Sequence, residues 1–343
     1  MKQAMKQTMQ LRPISEQVVV VLGASSGIGR ESTLRLAGRG AKLVVAARSE
    51  PALQSLVAEI TALGAEGAYV VCDVVDHAQV EAVAETAVRT FGRIDTWVNV
   101  AAVLVHASFE ETLPEEFRRL MEINYLGQVH GALAALPRLR EAGGGALIAV
   151  SSVESMVSLP RHSAYSASKH AVEGVIDGLR RDLLADGVPI SVTSIKPGTI
   201  NTPFFTNAAH TMDVEPTGAP PIYQPAVVAD CVLHAAEHPV RDLYAGGAAR
   251  LMTAGQMLAP RLMDALLARI VPLERSTEPA PGGAPGTLYS PREQEDRAEG
   301  DFGSRARRFS AYTWVQTHPR VKPLLAGGAL AAVAAALGRR DGS

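Results

Sequence analysis

Between Val18 and Tyr244, short apolar runs alternate with longer stretches of helical periodicity, and this alternation restricts the fold more than any other feature. Residues 18–22, 42–46, 69–72, 96–100, 146–150 and 190–195 have the length and unbroken hydrophobicity of strands buried on both faces. Residues 29–38, 51–63, 77–91, 114–140 and 164–185 repeat their apolar positions at helical spacing. Strands that are apolar throughout, each followed by a helix, form a parallel sheet covered on both sides. The pattern predicts an α/β, doubly wound sheet (a Rossmann fold), and such sheets bind ligands at the carboxyl ends of their strands.

Composition narrows the function classes. The 33 basic and 35 acidic side chains nearly balance, which gives no reason to expect a nucleic-acid partner. Cys72 and Cys231 lie in apolar surroundings without ligand-like spacing, and read as buried thiols of a reducing, cytoplasmic compartment. The nine histidines show no ligand spacing either, so no metal is expected. Residues 1–16 form an N-terminal tail with Lys2, Lys6 and Arg12. No apolar stretch follows before Val18, so no secretory signal is expected.

The first strand runs directly into Gly23-Ala-Ser25-Ser26-Gly27-Ile28-Gly29 and then a helix. Glycines there allow a tight turn and close backbone approach, while the helix N-terminus offers free N–H groups to a phosphate. Further on, Ser152 precedes Tyr165-Ser-Ala-Ser-Lys169. Four residues apart on a helix, Tyr165 and Lys169 share a face. A phenol titrates near ~10, and bringing it to neutrality takes about 4 kcal/mol. An ammonium about 4 Å away, at an effective dielectric of ~20, supplies roughly that amount. The pair is suited to proton transfer.

The Gly-x-x-x-Gly-x-Gly spacing, Ser152 and Tyr165-x-x-x-Lys169 together resemble the short-chain dehydrogenase/reductase family, over residues 17–244. The resemblance implies that Tyr165 is the catalytic acid/base and that Lys169 lowers its pKa and holds the nicotinamide ribose. It implies that Ser152 polarises the substrate oxygen and that Asn124, in Glu122-Ile-Asn124-Tyr-Leu-Gly127, positions a water relaying protons to the lysine. Asp73 and Val74 match the pair at the adenine. Pro197, Gly198, Ile200 and Thr202 match the segment along the nicotinamide. In place of the usual Asn-Asn-Ala-Gly stands Asn99-Val100-Ala101-Ala102, with Asn99 and Ala101 expected beside the cofactor. Leu22 replaces a usual Thr, and Ala149-Val150 a frequent Asn-Ile. A homodimer or homotetramer is also implied.

Cofactor choice rests on the end of the second strand. An acidic residue about 20 positions beyond the glycine turn receives the ribose 2′-hydroxyl in NAD enzymes. Here Ala47 stands there and Arg48 follows, whose fork of donors suits a 2′-phosphate, so NADP is expected over NAD. Arg30 either adds to that field or is a solvated helix residue. The expected activity is NADP-dependent hydride transfer between nicotinamide and a carbonyl or secondary alcohol. The alternative is a dinucleotide-binding regulatory or scaffold protein without chemistry. Such a protein is expected to have lost Tyr165, Lys169 or Ser152, and all three are present. His162 either faces the substrate, caps the catalytic helix or sits at the surface.

Phe204, Phe205, Met212 and Ile222 lie in or near the irregular stretch 207–224. They either line an apolar pocket for a hydrophobic substrate or pack a lid onto the core. The catalytic domain is expected over residues 17–250. A helical extension (251–275) repeats Leu262, Leu266 and Ile270 and is expected to pack on the core, with membrane contact, a lid extension or a subunit contact as alternatives. Residues 276–320, rich in Pro, Gly and charge, read as a linker. The tail 321–343 is apolar and Ala-rich between basic flanks; its uncharged 15 residues, 324–338, reach about 22 Å against a ~30 Å hydrocarbon layer. That composition suits an interfacial anchor as well as a docked tail.

Overall fold

The computed structural model describes residues 9–280, 282–292 and 296–321. Seven parallel strands form the central sheet: β1 (Val18–Leu22), β2 (Lys42–Ala47), β3 (Gly67–Val71), β4 (Thr96–Asn99), β5 (Gly145–Val150), β6 (Ile190–Pro197) and β7 (Asp242–Ala245). Their order is β7-β6-β5-β4-β1-β2-β3, with the reversal between β4 and β1. The doubly wound sheet read from the sequence is present, and its reversal opens a crevice at the carboxyl ends of these two strands.

Alternate residues of each strand feed two separate cores, as the period of two requires. Val18, Val20 and Leu22 pack with α3 (His77–Phe91), α5 (Gly127–Glu141) and α6 (Ser163–Ala185). Val19 and Val21 pack with α1 (Gly27–Ala37), α2 (Glu50–Ala62) and α7 (Pro225–Glu237). Asp76 caps α3 by accepting from the N–H groups of Ala78 and Gln79. The helix expected over 114–140 is broken into α4 (Pro114–Leu120), a π-helical turn (Met121–Leu126) and α5. Cys72 and Cys231 are both free and buried.

The C-terminal region departs from expectation. Residues 276–320 are expected to be a linker, yet parts of them pair with the catalytic domain. Arg275–Pro279 pairs antiparallel with Val214–Pro216, and Ala306–Arg307 extends Ile222–Tyr223 in parallel. A last helix, α10 (Ala311–Thr317), follows α8 (Gly247–Leu258) and α9 (Pro260–Leu267). The Gln316 side chain of α10 bonds both the N–H and the carbonyl of Tyr244 on the open edge of β7. Core packing of the extension is not what Leu262 and Leu266 show: both are exposed, with Leu251, Met257 and Leu258 of α8. Among the described residues no helix is long and apolar enough to cross a membrane. The apolar tail lies, from residue 322 onward, outside the described residues.

Candidate active site

At the end of β1 the chain turns through Gly23, whose φ of 85° favours glycine. A Cβ on Gly23 would stand 2.5 Å from the Ala101 nitrogen, and one on Gly29 2.0 Å from the Gly23 carbonyl oxygen. This close approach lets the α1 N-terminus open onto a cavity of about 260 Å³. Gly23, Ser25, Ser26, Gly27 and Ile28 line its wall, while Gly29 packs behind them. The Gly27 N–H donates to the Arg297 carbonyl, so the C-terminal region reaches the glycine turn itself.

Where β2 and β3 end, Arg48, Asp73 and Val74 line the cavity. Arg48 Nη2 donates to the Thr287 carbonyl at 2.7 Å, while its buried Nη1 has no partner among the described residues. Burial pulls the guanidinium pKa down, opposed by the nearby Asp73 carboxylate. Asp73 pairs with Arg119 at 3.4 Å. Of the two readings of Arg30, neither describes its place. It is buried, bonding the Ser25 and Ala52 carbonyls, Ser55 and Glu59, and so ties α1 to α2.

Ser152, Tyr165, Lys169, Pro197, Gly198, Ile200 and Thr202 line the cavity beyond β5 and β6, and Ala101 lines it beside β4. Two expected residues are spent elsewhere. Asn99 accepts from the Trp97 indole at 2.8 Å and donates to the Gln128 carbonyl, so its side chain faces the core rather than the cavity. Asn124 accepts from the Val103 N–H at 2.8 Å and donates to the Val103 carbonyl and Ser168. The Asn124 amide therefore pins the chain after β4 onto α6, leaving no free donor on that side chain for a water.

Tyr165 and Lys169 sit one turn apart on α6, with Nζ 5.7 Å from the phenol ring centroid. The electrostatics differ from the expected lowering of the tyrosine pKa. Burial pushes the Tyr165 phenol above its ordinary value, Glu154 adds to the rise, and a hydrogen bond with Ser152 opposes it. Burial also brings Lys169 down to about 8, and its Nζ donates to the Val150 carbonyl at 3.1 Å. For both groups burial is the largest cause of the shift.

Three cavity residues escaped the sequence reading of the site or its placement. His162 precedes α6 and is buried, its ring edge-on to Tyr165 at 6.4 Å between centroids. Its Nδ1 lies 3.1 Å from Glu154 Oε1, and Glu154 Oε2 accepts from Ser166 at 2.7 Å. Glu274 arrives from the C-terminal region, and burial pushes its carboxyl up to about 7. Glu154 stands two residues after Ser152, which is a usable signal; nothing local marks Glu274. Phe204 and Phe205 line the cavity, and Phe204 packs edge-on against Tyr165. Met212 and Ile222 are buried away from it.

A family profile described as short chain dehydrogenase matches residues 17–213. The chain belongs to the short-chain dehydrogenase family. As a member of that family it is an NAD(P)-dependent oxidoreductase. The oxidoreductase YxnA of Bacillus subtilis is 36% identical over 336 residues, 97% of this chain and 94% of that one. Dehydrogenase/reductase SDR family member 7B of Mus musculus is 37% identical over 195 residues, 56% of this dehydrogenase and 60% of the mouse protein. A crystal structure of an actinorhodin polyketide ketoreductase variant with NADPH superposes with a TM-score of 0.53 at 30% identity, covering 55% of this chain and 73% of that one. The similarity to the Bacillus protein thus extends through the C-terminal region that builds part of this site.

Proposed function

We propose that this dehydrogenase uses NADP(H) to interconvert a carbonyl and a secondary alcohol on a hydrophobic substrate, with Tyr165 as the acid/base. The observation that carries the reading is the convergence of Tyr165, Ser152 and Lys169 on one cavity that ends at Arg48. The cavity residues suit a dinucleotide: a glycine cradle that a Cβ would fill, a helix N-terminus, and a buried guanidinium nitrogen without a partner among the described residues. That nitrogen suits a 2′-phosphate, and the NADPH in the related ketoreductase structure supports the same preference.

When bound, the nicotinamide supplies or takes the hydride. The chain's own residues handle the proton and the charge. Tyr165, kept protonated by burial, gives its proton to the carbonyl oxygen in the reducing direction. Ser152 donates to the same oxygen as charge develops on it. Lys169 is charged below pH about 8 and holds the ribose side of the site. Leu104, Val153, Leu159, Phe204 and Phe205 form apolar walls, which favour a hydrophobic ketone or alcohol.

NADPH oxidation is measured against a panel of hydrophobic ketones with the wild type and Tyr165→Phe. The substitution is expected to cut turnover by about 10²–10⁴-fold while leaving NADPH affinity in place. Equal turnover in both proteins would end the Tyr165 assignment. No turnover in the wild type with any ketone or alcohol, despite NADPH binding, would favour the non-catalytic alternative.

A further inference from the structure

Beside the cavity, four buried polar atoms lack a partner among the described residues: His106 Nε2, both ring nitrogens of His210, and Glu274 Oε2. Native interiors contain few such atoms, and a group of them calls for an ion or ordered water. His106 and His210 are register partners in a two-stranded parallel ladder, Val105–His106 with Ala209–His210. Glu274 Oε2 stands 3.9 Å from His106 Nε2, and His162 Nε2 stands 3.1 Å from His106 Nδ1. One ligand atom each from His106, His162 and Glu274 lies within 4.8 Å of the others, and all three residues are buried.

We propose that His106, His162 and Glu274 bind a zinc-type divalent cation that ties the C-terminal extension to the start of the helix carrying Tyr165. His106 faces His162 with its Nδ1, 3.1 Å from His162 Nε2, a separation that two zinc–nitrogen bonds of about 2.0–2.1 Å span with one ion, and Glu274, whose ligand atom lies within 4.8 Å of the other two, closes on it as the third ligand. Imidazole and carboxylate are the donors such an ion takes when no thiolate is present. The surroundings are those of a ligated histidine. His162 turns its Nδ1 to Glu154, and Glu154 is itself held by Ser166, which fixes the ring with Nε2 directed away from the carboxylate.

Without a cation the contact between His162 Nε2 and His106 Nδ1 holds one proton, with the Glu154 and Glu274 side chains buried beside the rings. A divalent ion replaces that proton, which leaves to solvent, and each ring then directs a lone pair to the metal. His210 supplies a further imidazole beside the group. This assignment does not depend on the direction or substrate of the hydride transfer.

Tag-free full-length protein is purified without chelator, dialysed against metal-free buffer, and assayed for bound metal by elemental analysis. Separately, protein stripped with chelator is titrated with cobalt(II) while visible d–d absorption and Tm are followed. The expected result is about one equivalent of retained zinc, a cobalt band that saturates, and a higher Tm with metal. Glu274→Gln and His106→Gln are each expected to weaken cobalt binding by about 10- to 100-fold, and Tyr165→Phe to leave it unchanged. Absence of retained metal, of a cobalt band and of any Tm rise with excess zinc would overturn the proposal. So would a cobalt titration that neither substitution alters. Glu274→Gln preserves side-chain shape, so it and the wild-type cobalt spectrum decide the matter if His106→Gln does not fold.

Discussion

Lys169 carries its charge in a pocket that works against it. Burial lowers its pKa to about 8 from the ordinary 10.5. Below pH 8 the folded chain therefore bears a desolvated ammonium, and folding carries that cost. Between about 8 and 10 the folded lysine has lost its proton while the unfolded one keeps it. Unfolding then takes up a proton, and stability rises with pH. Above 10 the buried Tyr165 acts with opposite sign, because the folded phenol keeps a proton that the unfolded one releases. In the cofactor-free protein, Tm is expected to rise across pH 8–10 relative to Lys169→Met. Parallel Tm–pH curves for the two would contradict it. At the other end of the cavity, Arg48→Ala removes a charged donor worth about 1.5–3 kcal/mol. The KM for NADPH is expected to rise by about 10- to 100-fold with that for NADH little changed, as read from paired steady-state kinetics.

Elements were legible where local pattern and tertiary role coincide. The five apolar runs that became β1, β2, β4, β5 and β6 are buried on both faces, so hydrophobicity alone marks them. Strand β3 is half-buried near the sheet edge, and its start at Gly67 fell earlier than expected. The π-helical turn at Met121–Leu126 has no periodic signature, because one widened turn leaves the apolar spacing on either side intact. The glycine turn is the element whose chemistry followed most directly from residue type. Gly29→Ala would set a Cβ 2.0 Å from the Gly23 carbonyl. A loss of about 1–3 kcal/mol is expected from such overpacking, with weaker NADPH binding, measured by urea unfolding and NADPH fluorescence.

At the scale of the whole molecule, the C-terminal region completes the wall of the cavity. Thr287 anchors Arg48, Glu274 enters the cavity wall, and Gln316 satisfies the edge of β7. A chain ending at residue 273 loses all three. Its Tm is expected to fall by several degrees and its NADPH affinity to drop, and an unchanged melt would show the extension to be dispensable. Composition read this region as a linker because Pro, Gly and charge are abundant there. Two short stretches of it, Arg275–Pro279 and Ala306–Arg307, instead pair with strands far away in sequence.

The sequence by itself determined the doubly wound sheet, the glycine turn after its first strand and the shared helix face of Tyr165 and Lys169, because each depends on spacing within a strand, a turn or a helix. Tertiary structure alone decided that Asn99 and Asn124 face inward, that burial sets the Tyr165 and Lys169 pKa values, and that His106, His162 and Glu274 meet. Those outcomes depend on which groups lose water together, and residues as distant in the chain as His106 and Glu274 carry no shared period that could announce it.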